Sequence, residues 1–162
     1  MKDHILCVID FSESSLHSLS WANKIAGCTN AHLAVLFSYR LIPTGNVADI
    51  VSFRQKTEEE AKEKFLALLE TLSNVRDVSR SFITEIGFYS DNIEKYIRKN
   101  PSTIVVLSAG MANEIYDHKG QTFFSFLKQL KAPMLIVPDT PEAGNASQFP
   151  TEEQTIAGKI PV

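Results

Sequence analysis

Short apolar and β-branched runs alternate along this chain with segments whose apolar residues recur every three or four positions, the pattern of parallel strands joined by helical crossovers. The first run, His4 to Asp10, is almost continuously apolar, as a strand buried on both faces at the centre of a parallel sheet would be. Ser12 offers a helix N-cap, Leu16, Leu19, Ala22, Ile25 and Ala26 share one helical face, and Gly27 is the expected stop. A second strand spans Ala31 to Ser38. Tyr39 to Arg54, with Pro43 and Gly45, reads as a long connection of the kind that carries function. A helix from Gln55 to Ser73 follows, with Ala61, Phe65, Leu68, Leu69 and Leu72 forming its apolar stripe. Glu58 and Lys62 on its charged face are spaced as an ion pair.

Arg80 to Gly87 mixes polar and apolar residues, which suits an edge strand. Ser90 or Asp91 then caps a short helix with Ile93, Tyr96 and Ile97 facing inward. Glu94 is placed to close a capping box with Asp91, and Asn100-Pro101 ends the helix. Thr103 to Ser108 is a fourth, fully apolar strand. The loop Ala109 to Gln121 leads to a helix bearing Phe123, Phe124, Leu127 and Leu130, and Met134 to Val137 is the last strand. These elements make one α/β domain over 1–139. Residues 140–162 form a polar tail, expected to be flexible unless its final IAGKIPV docks.

A length of 162 residues suits one domain with a full core. A net charge of -3 supplies no general attraction to nucleic acid or to an anionic membrane. The opening segment lacks the features of a secretory signal and no apolar run is long enough to span a bilayer, so a cytoplasmic location is expected. Cys7, inside ILCVI, is expected to be buried and Cys28 near the surface, both as reduced thiols. His4, His17, His32 and His118 are dispersed and read as structural or surface residues. No catalytic residue and no metal ligand is assigned, and the chain is not read as an enzyme.

The run ILCVIDFSESSLHSLSWA, residues 5–22, resembles the opening strand, acidic turn and first helix of universal stress proteins. STIVVLSAGMANEIYDHKGQTFFSFLKQLKAPMLIVPD, residues 102–139, resembles their fourth strand, phosphate loop, last helix and final strand. The resemblance implies a three-layer, doubly wound sheet of five parallel strands ordered 3-2-1-4-5, the adenine nucleotide alpha hydrolase-like plan. Its chain reversal between strands one and four opens a crevice where α/β folds commonly bind ligands. In the nucleotide-binding branch of the family, Gly-x2-Gly-x9-Gly-[Ser/Thr] wraps the phosphates of ATP, because small residues and helix-terminal amides admit an anion closely. Here Gly110 and Gly120 keep the spacing, but Leu107 stands at the first glycine position and Gln121 at the hydroxyl position. Thr122 comes one residue late. The intervening loop sets Glu114 and Asp117 against Lys119, with His118 neutral, so it is not electropositive.

Asp10 matches the family's acidic residue near base and ribose, yet it is equally suited to help Ser12 cap the first helix. Phe11 replaces the family's usual glycine and either stacks on a base or fills the cleft. The candidate nucleotide cleft therefore comprises Asp10, Phe11, Ser12, Ser108, Gly110, Gly120, Gln121 and Thr122. Its ligand would be ATP or another adenine nucleotide, with magnesium if ATP binds. The leading reading is a stress-response regulatory or interaction protein with weak or lost nucleotide binding and an unidentified protein partner. An intact ATP-binding member is the alternative. An adenylating ATP-pyrophosphatase-type enzyme is disfavoured, because DFSESS at 10–15 lacks the glycines of that phosphate loop. The apolar strand Met134 to Val137 at a sheet edge needs covering, either by pairing in a homodimer, as the resemblance implies, or by the tail.

Overall fold

Among the described residues strands and helices alternate, with two helices between the last two strands: β1 (His4–Val8), α1 (Glu13–Thr29), β2 (His32–Tyr39), α2 (Val47–Thr71), β3 (Arg80–Ile86), α3 (Tyr89–Lys99), β4 (Thr103–Ser108), α4 (Ala109–Glu114), α5 (Phe123–Gln129) and β5 (Met134–Val137). They are seen in a computed structural model that describes residues 2–41, 45–72, 77–115 and 120–139. The strands form one parallel sheet ordered β3-β2-β1-β4-β5, the expected doubly wound α/β plan. The tail from 140 lies outside the described residues. No helix among the described residues is long and apolar enough to cross a membrane.

Side chains alternate across the sheet and so build two separate cores. Ile5, Cys7, Leu33, Val35 and Val106 pack beneath Leu19, Ala22 and Ala26 of α1 and Phe65 of α2. On the opposite face Leu6, Val8, Ala34, Leu36, Val105 and Leu107 meet Ile93 and Ile97 of α3, Met111 of α4 and Phe126 of α5. Both faces of the three central strands are thereby covered, which is why those segments read as unbroken apolar runs. Cys7 is fully buried and Cys28 exposed, each as a free thiol. Burial pushes the Cys7 thiol up to about 12, against a smaller opposing effect of the Ser18 hydroxyl, so Cys7 acts as a small packing residue and not as a nucleophile.

Several boundaries differ from the sequence reading, each for a local reason. The ladder of β1 closes at Val8, because Asp10 already belongs to the turn that starts α1. Gly27 stays inside α1, which runs on to Thr29. Asn30 ends it with φ 57°, a left-handed conformation that asparagine tolerates better than most residues. The connection expected over Tyr39 to Arg54 is shorter. Tyr39 is the last residue of β2, and α2 starts at Val47 under a cap in which the Asn46 side chain accepts from the Ala48 amide at 3.0 Å. Its first half buries nothing, so no core-facing stripe marked it. Arg54–Glu58 at 3.2 Å and Lys56–Glu60 at 4.0 Å run along this part. Glu58 takes Arg54 and the Tyr39 hydroxyl, at 2.6 Å, as partners in place of the expected Lys62.

The third helix starts at Tyr89 after Phe88, which supplies no capping side chain, so Ser90 and Asp91 lie inside it and the proposed capping box is not used. Part of the expected Ala109–Gln121 loop is the six-residue α4. In α5 the buried aromatic is Phe126, while Phe124 is exposed.

Candidate functional site

Loops leaving neighbouring parallel strands in opposite directions separate, and here that happens between β1 and β4. On the β1 side, the Ile9 amide still donates to Leu36 O at 2.9 Å before the chain turns. The Ser12 amide donates to Asp10 Oδ1 at 2.9 Å, and the Ser12 hydroxyl in turn accepts from the Ser15 amide at 3.3 Å. Ser15 Oγ accepts from the Asp10 amide at 3.2 Å and donates to Ser12 O at 2.9 Å. Asp10 and Ser12 thus serve the start of α1, the capping role that their types allowed.

Phe11 holds the turn at φ 63°, the left-handed region in which glycine is unstrained. Its ring lies 5.1 Å from that of Phe37 and 6.4 Å from that of Phe82, with Lys64 Nζ 5.5 Å from its centre. It packs on the α1–α2 side of the fold. Packing therefore opposes backbone strain at this one position. Phe11→Gly is expected to be more stable than Phe11→Ala by about 1 kcal/mol, the reverse of the order in ordinary backbone, when the two are compared by urea denaturation. Equal stabilities would mean that the turn relaxes out of the left-handed region.

On the β4 side, Leu107 at the expected glycine position is fully buried in the α3–α5 core. Ser108 caps α4 by accepting from the Met111 amide at 3.1 Å. The Gly110 amide donates to Asp139 Oδ1 at 2.9 Å. A Cβ at Gly110 would stand 3.1 Å from Asp139 Oδ2, so the absence of a side chain there admits the carboxylate. Gly120 has φ +75° with open space around it, and Thr122 caps α5 by accepting from the Ser125 amide at 3.1 Å. Gln121 is partly buried just before that cap. Of the intervening loop, Asp117, His118 and Lys119 lie outside the described residues.

Two residues that sequence reasoning did not single out sit in this crevice. Asp139 follows the last strand, and nothing in its local pattern marks it as a partner of Gly110. Tyr89, from the first turn of α3, donates its hydroxyl to Ile9 O at 2.7 Å and so bridges to the end of β1. Its hydroxyl is held far above the ordinary tyrosine range, first by burial, with Asp10 and Glu114 adding to the rise and a backbone hydrogen bond at Ser38 opposing it. It is a neutral structural donor. The open space nearby, about 260 Å³, is displaced toward the ends of β2 and β3. Ser38, Arg40, Gly87, Tyr89 and Glu114 line it, and none of the sequence-derived candidates does. The Arg40 guanidinium lies 5.0 Å from the Phe88 ring centre.

Three features of the described residues count against a bound triphosphate. The Gly110 amide already has an anionic partner and the first glycine is a core leucine. Asp10, Glu114 and Asp139 load the crevice with negative charge against Arg40. Among the described residues no group of three or more His, Cys, Asp or Glu side chains is placed to hold a metal.

Comparison with known proteins agrees with this fold. The model of the universal stress protein family matches residues 1–138. The universal stress protein UspA from Lactobacillus plantarum is similar in structure, with TM-score 0.64 and 18% identity over 85% of this chain and 97% of that one. A universal stress protein in complex with cAMP has TM-score 0.55 and 17% identity over 85% and 98%. One from Archaeoglobus fulgidus in complex with dAMP has TM-score 0.56 and 12% identity over 84% and 97%. No curated protein sequence matches.

Proposed function

The chain belongs to the universal stress protein family, and from that premise we propose that it is a stress-response regulatory or interaction protein whose adenine-nucleotide binding is weak or lost. The observation that carries this reading is the Asp139 carboxylate on the Gly110 amide, an internal anion at the glycine expected to meet phosphate. Tyr89 across the end of β1 and the core role of Leu107 support it. Turnover is not part of the reading, because the polar groups of the crevice cap helices and close turns instead of activating one another. A cytoplasmic place is part of it, consistent with two unpaired thiols.

Two similar proteins are complexes with adenine monophosphates, so the test covers these as well as ATP. Protein purified without added nucleotide is extracted for mass spectrometry, and the stripped protein is titrated by calorimetry with ATP and magnesium, AMP and cAMP. The expected result is no co-purifying adenine nucleotide and no saturation by any of the three below about 1 mM, an affinity near -4 kcal/mol. A co-purified nucleotide, or saturation in the micromolar range, overturns the reading in favour of an intact nucleotide-binding member.

The reading includes a homodimer through β5. Among the described residues this strand pairs with β4 alone, and Leu135 and Ile136 on its two faces are 40% and 37% exposed, with Ile104 of β4 at 45%. An edge of this composition is a template for pairing with a second chain. Light scattering of the full chain is expected to give twice the monomer mass, and Leu135→Arg with Ile136→Glu to give the monomer. A monomeric wild-type chain would count against the dimer, and a truncation at Thr140 that then dimerises would identify the tail as the cover.

A further inference from the structure

At the opposite end of the sheet from the crevice, the parallel register sets His4 directly beside His32. The two rings are 5.3 Å apart between centroids and meet edge to face. They lie on the α3 side, in a polar row below Leu6 and Ala34 of the core. His4 Nδ1 is 2.7 Å from the Tyr96 hydroxyl of α3. His32 Nδ1 is 2.7 Å from Ser79 Oγ and His32 Nε2 is 2.9 Å from Ser81 Oγ, both at the start of β3. Two imidazoles therefore tie together β1, β2, β3 and the end of α3, at the edge where Asp3 O also accepts the His32 amide at 2.9 Å.

We propose that His4 and His32 form an acid-responsive latch, which holds this end of the sheet closed while at most one of the two rings is charged and loosens it when the second proton binds.

The argument is one of partner chemistry. Every side-chain partner of the two rings is a hydroxyl, which accepts or donates as required, so each ring by itself keeps its hydrogen bonds in either protonation state. Hydroxyls do not neutralise charge, and two imidazolium rings at this distance repel. Among the described residues no carboxylate is in ion-pair contact with either ring. Asp3, ahead of β1, keeps its charge but is held by the Ser102 hydroxyl, and Lys2 beside it is a cation. On α3, Lys95 is joined to Glu85 at 3.1 Å, while Arg98 and Lys99 add positive charge. On β3, Arg80 turns to the other face of the sheet, where its guanidinium holds Asn23 Oδ1 at 2.8 Å; Asp77 precedes that strand and is exposed.

Partial burial, then His4, then Lys2 hold the His32 imidazole below its ordinary value. A group whose folded value is depressed stabilises the fold above its unfolded value and withdraws that support as the pH falls toward the folded one. The latch thus weakens below the ordinary imidazole range, near pH 6.5. This device is independent of the nucleotide question, since it stands at the other edge of the sheet.

The test is an NMR titration of the imidazoles in wild type, His4→Gln and His32→Gln, with amide exchange at His32 and Leu33 followed between pH 7.5 and 5. His4→Gln should raise the titration point of His32. Exchange at the two amides should accelerate about tenfold more on acidification in wild type than in His4→Gln, one pH unit of coupling being a factor of ten. If His32→Gln fails to fold, the His4→Gln shift still decides. A His32 titration point unmoved in His4→Gln, or equal acceleration in wild type and variant, would overturn the latch.

Discussion

Phe126→Ala is expected to cost about 3–5 kcal/mol of folding stability, the usual loss for truncating a fully buried aromatic. The α5 helix has seven residues, and Phe126, 1% exposed, is the one it buries. A helix this short does not hold itself together in water, so its attachment depends on that ring, which joins Leu107, Met111 and Ile97 in one core. The lost packing is a large part of a typical total of about 5–15 kcal/mol, and β5, which follows α5, should loosen with it. Urea denaturation measures the loss, with Phe124→Ala as the control. Phe124 is 64% exposed and its truncation is expected to change stability by less than about 0.5 kcal/mol. A cost below about 1 kcal/mol for Phe126→Ala would mean that α5 is not seated by this ring.

Asp139→Asn is expected to tighten ATP binding about tenfold relative to wild type, close to 1.4 kcal/mol. The substitution removes one negative charge beside the Gly110 amide while leaving a side chain of the same shape and an oxygen that still accepts from that amide. Repulsion of the phosphates falls, whereas the buried Leu107, the Tyr89 bridge and the small cavity remain, so the variant should stay far weaker than an intact site. Calorimetry at low salt separates the outcomes, since screening would mask the effect. An unchanged affinity would mean that phosphate does not approach Gly110, and that Asp139 is simply the clasp between the end of β5 and α4.

Much of the fold was legible in single residues. The unbroken apolar runs of β1 and β4 announced an interior place in the sheet, the mixed run of β3 announced an edge, and Ser12 announced the start of α1. Those signals are local: they depend on a residue's own chemistry and its neighbours in the chain. The first half of α2 was missed because it buries nothing, and burial is what writes helical periodicity into a sequence. Phe126 was passed over for Phe124 because a seven-residue helix with three phenylalanines presents more than one apolar face.

The site divides along the same line. The sequence by itself determined that Asp10 and Ser12 are residues able to cap, that Gly110 admits a close neighbour, and that Leu107 and Gln121 interrupt the phosphate pattern. Only the tertiary structure decided what those capacities are used for. It set Asp139 against Gly110 across 29 residues, Tyr89 against Ile9 across 80, and His4 beside His32 through strand register. Contacts of that kind leave no periodic trace, because they depend on where the crossovers return each strand and not on the order of residues around either partner.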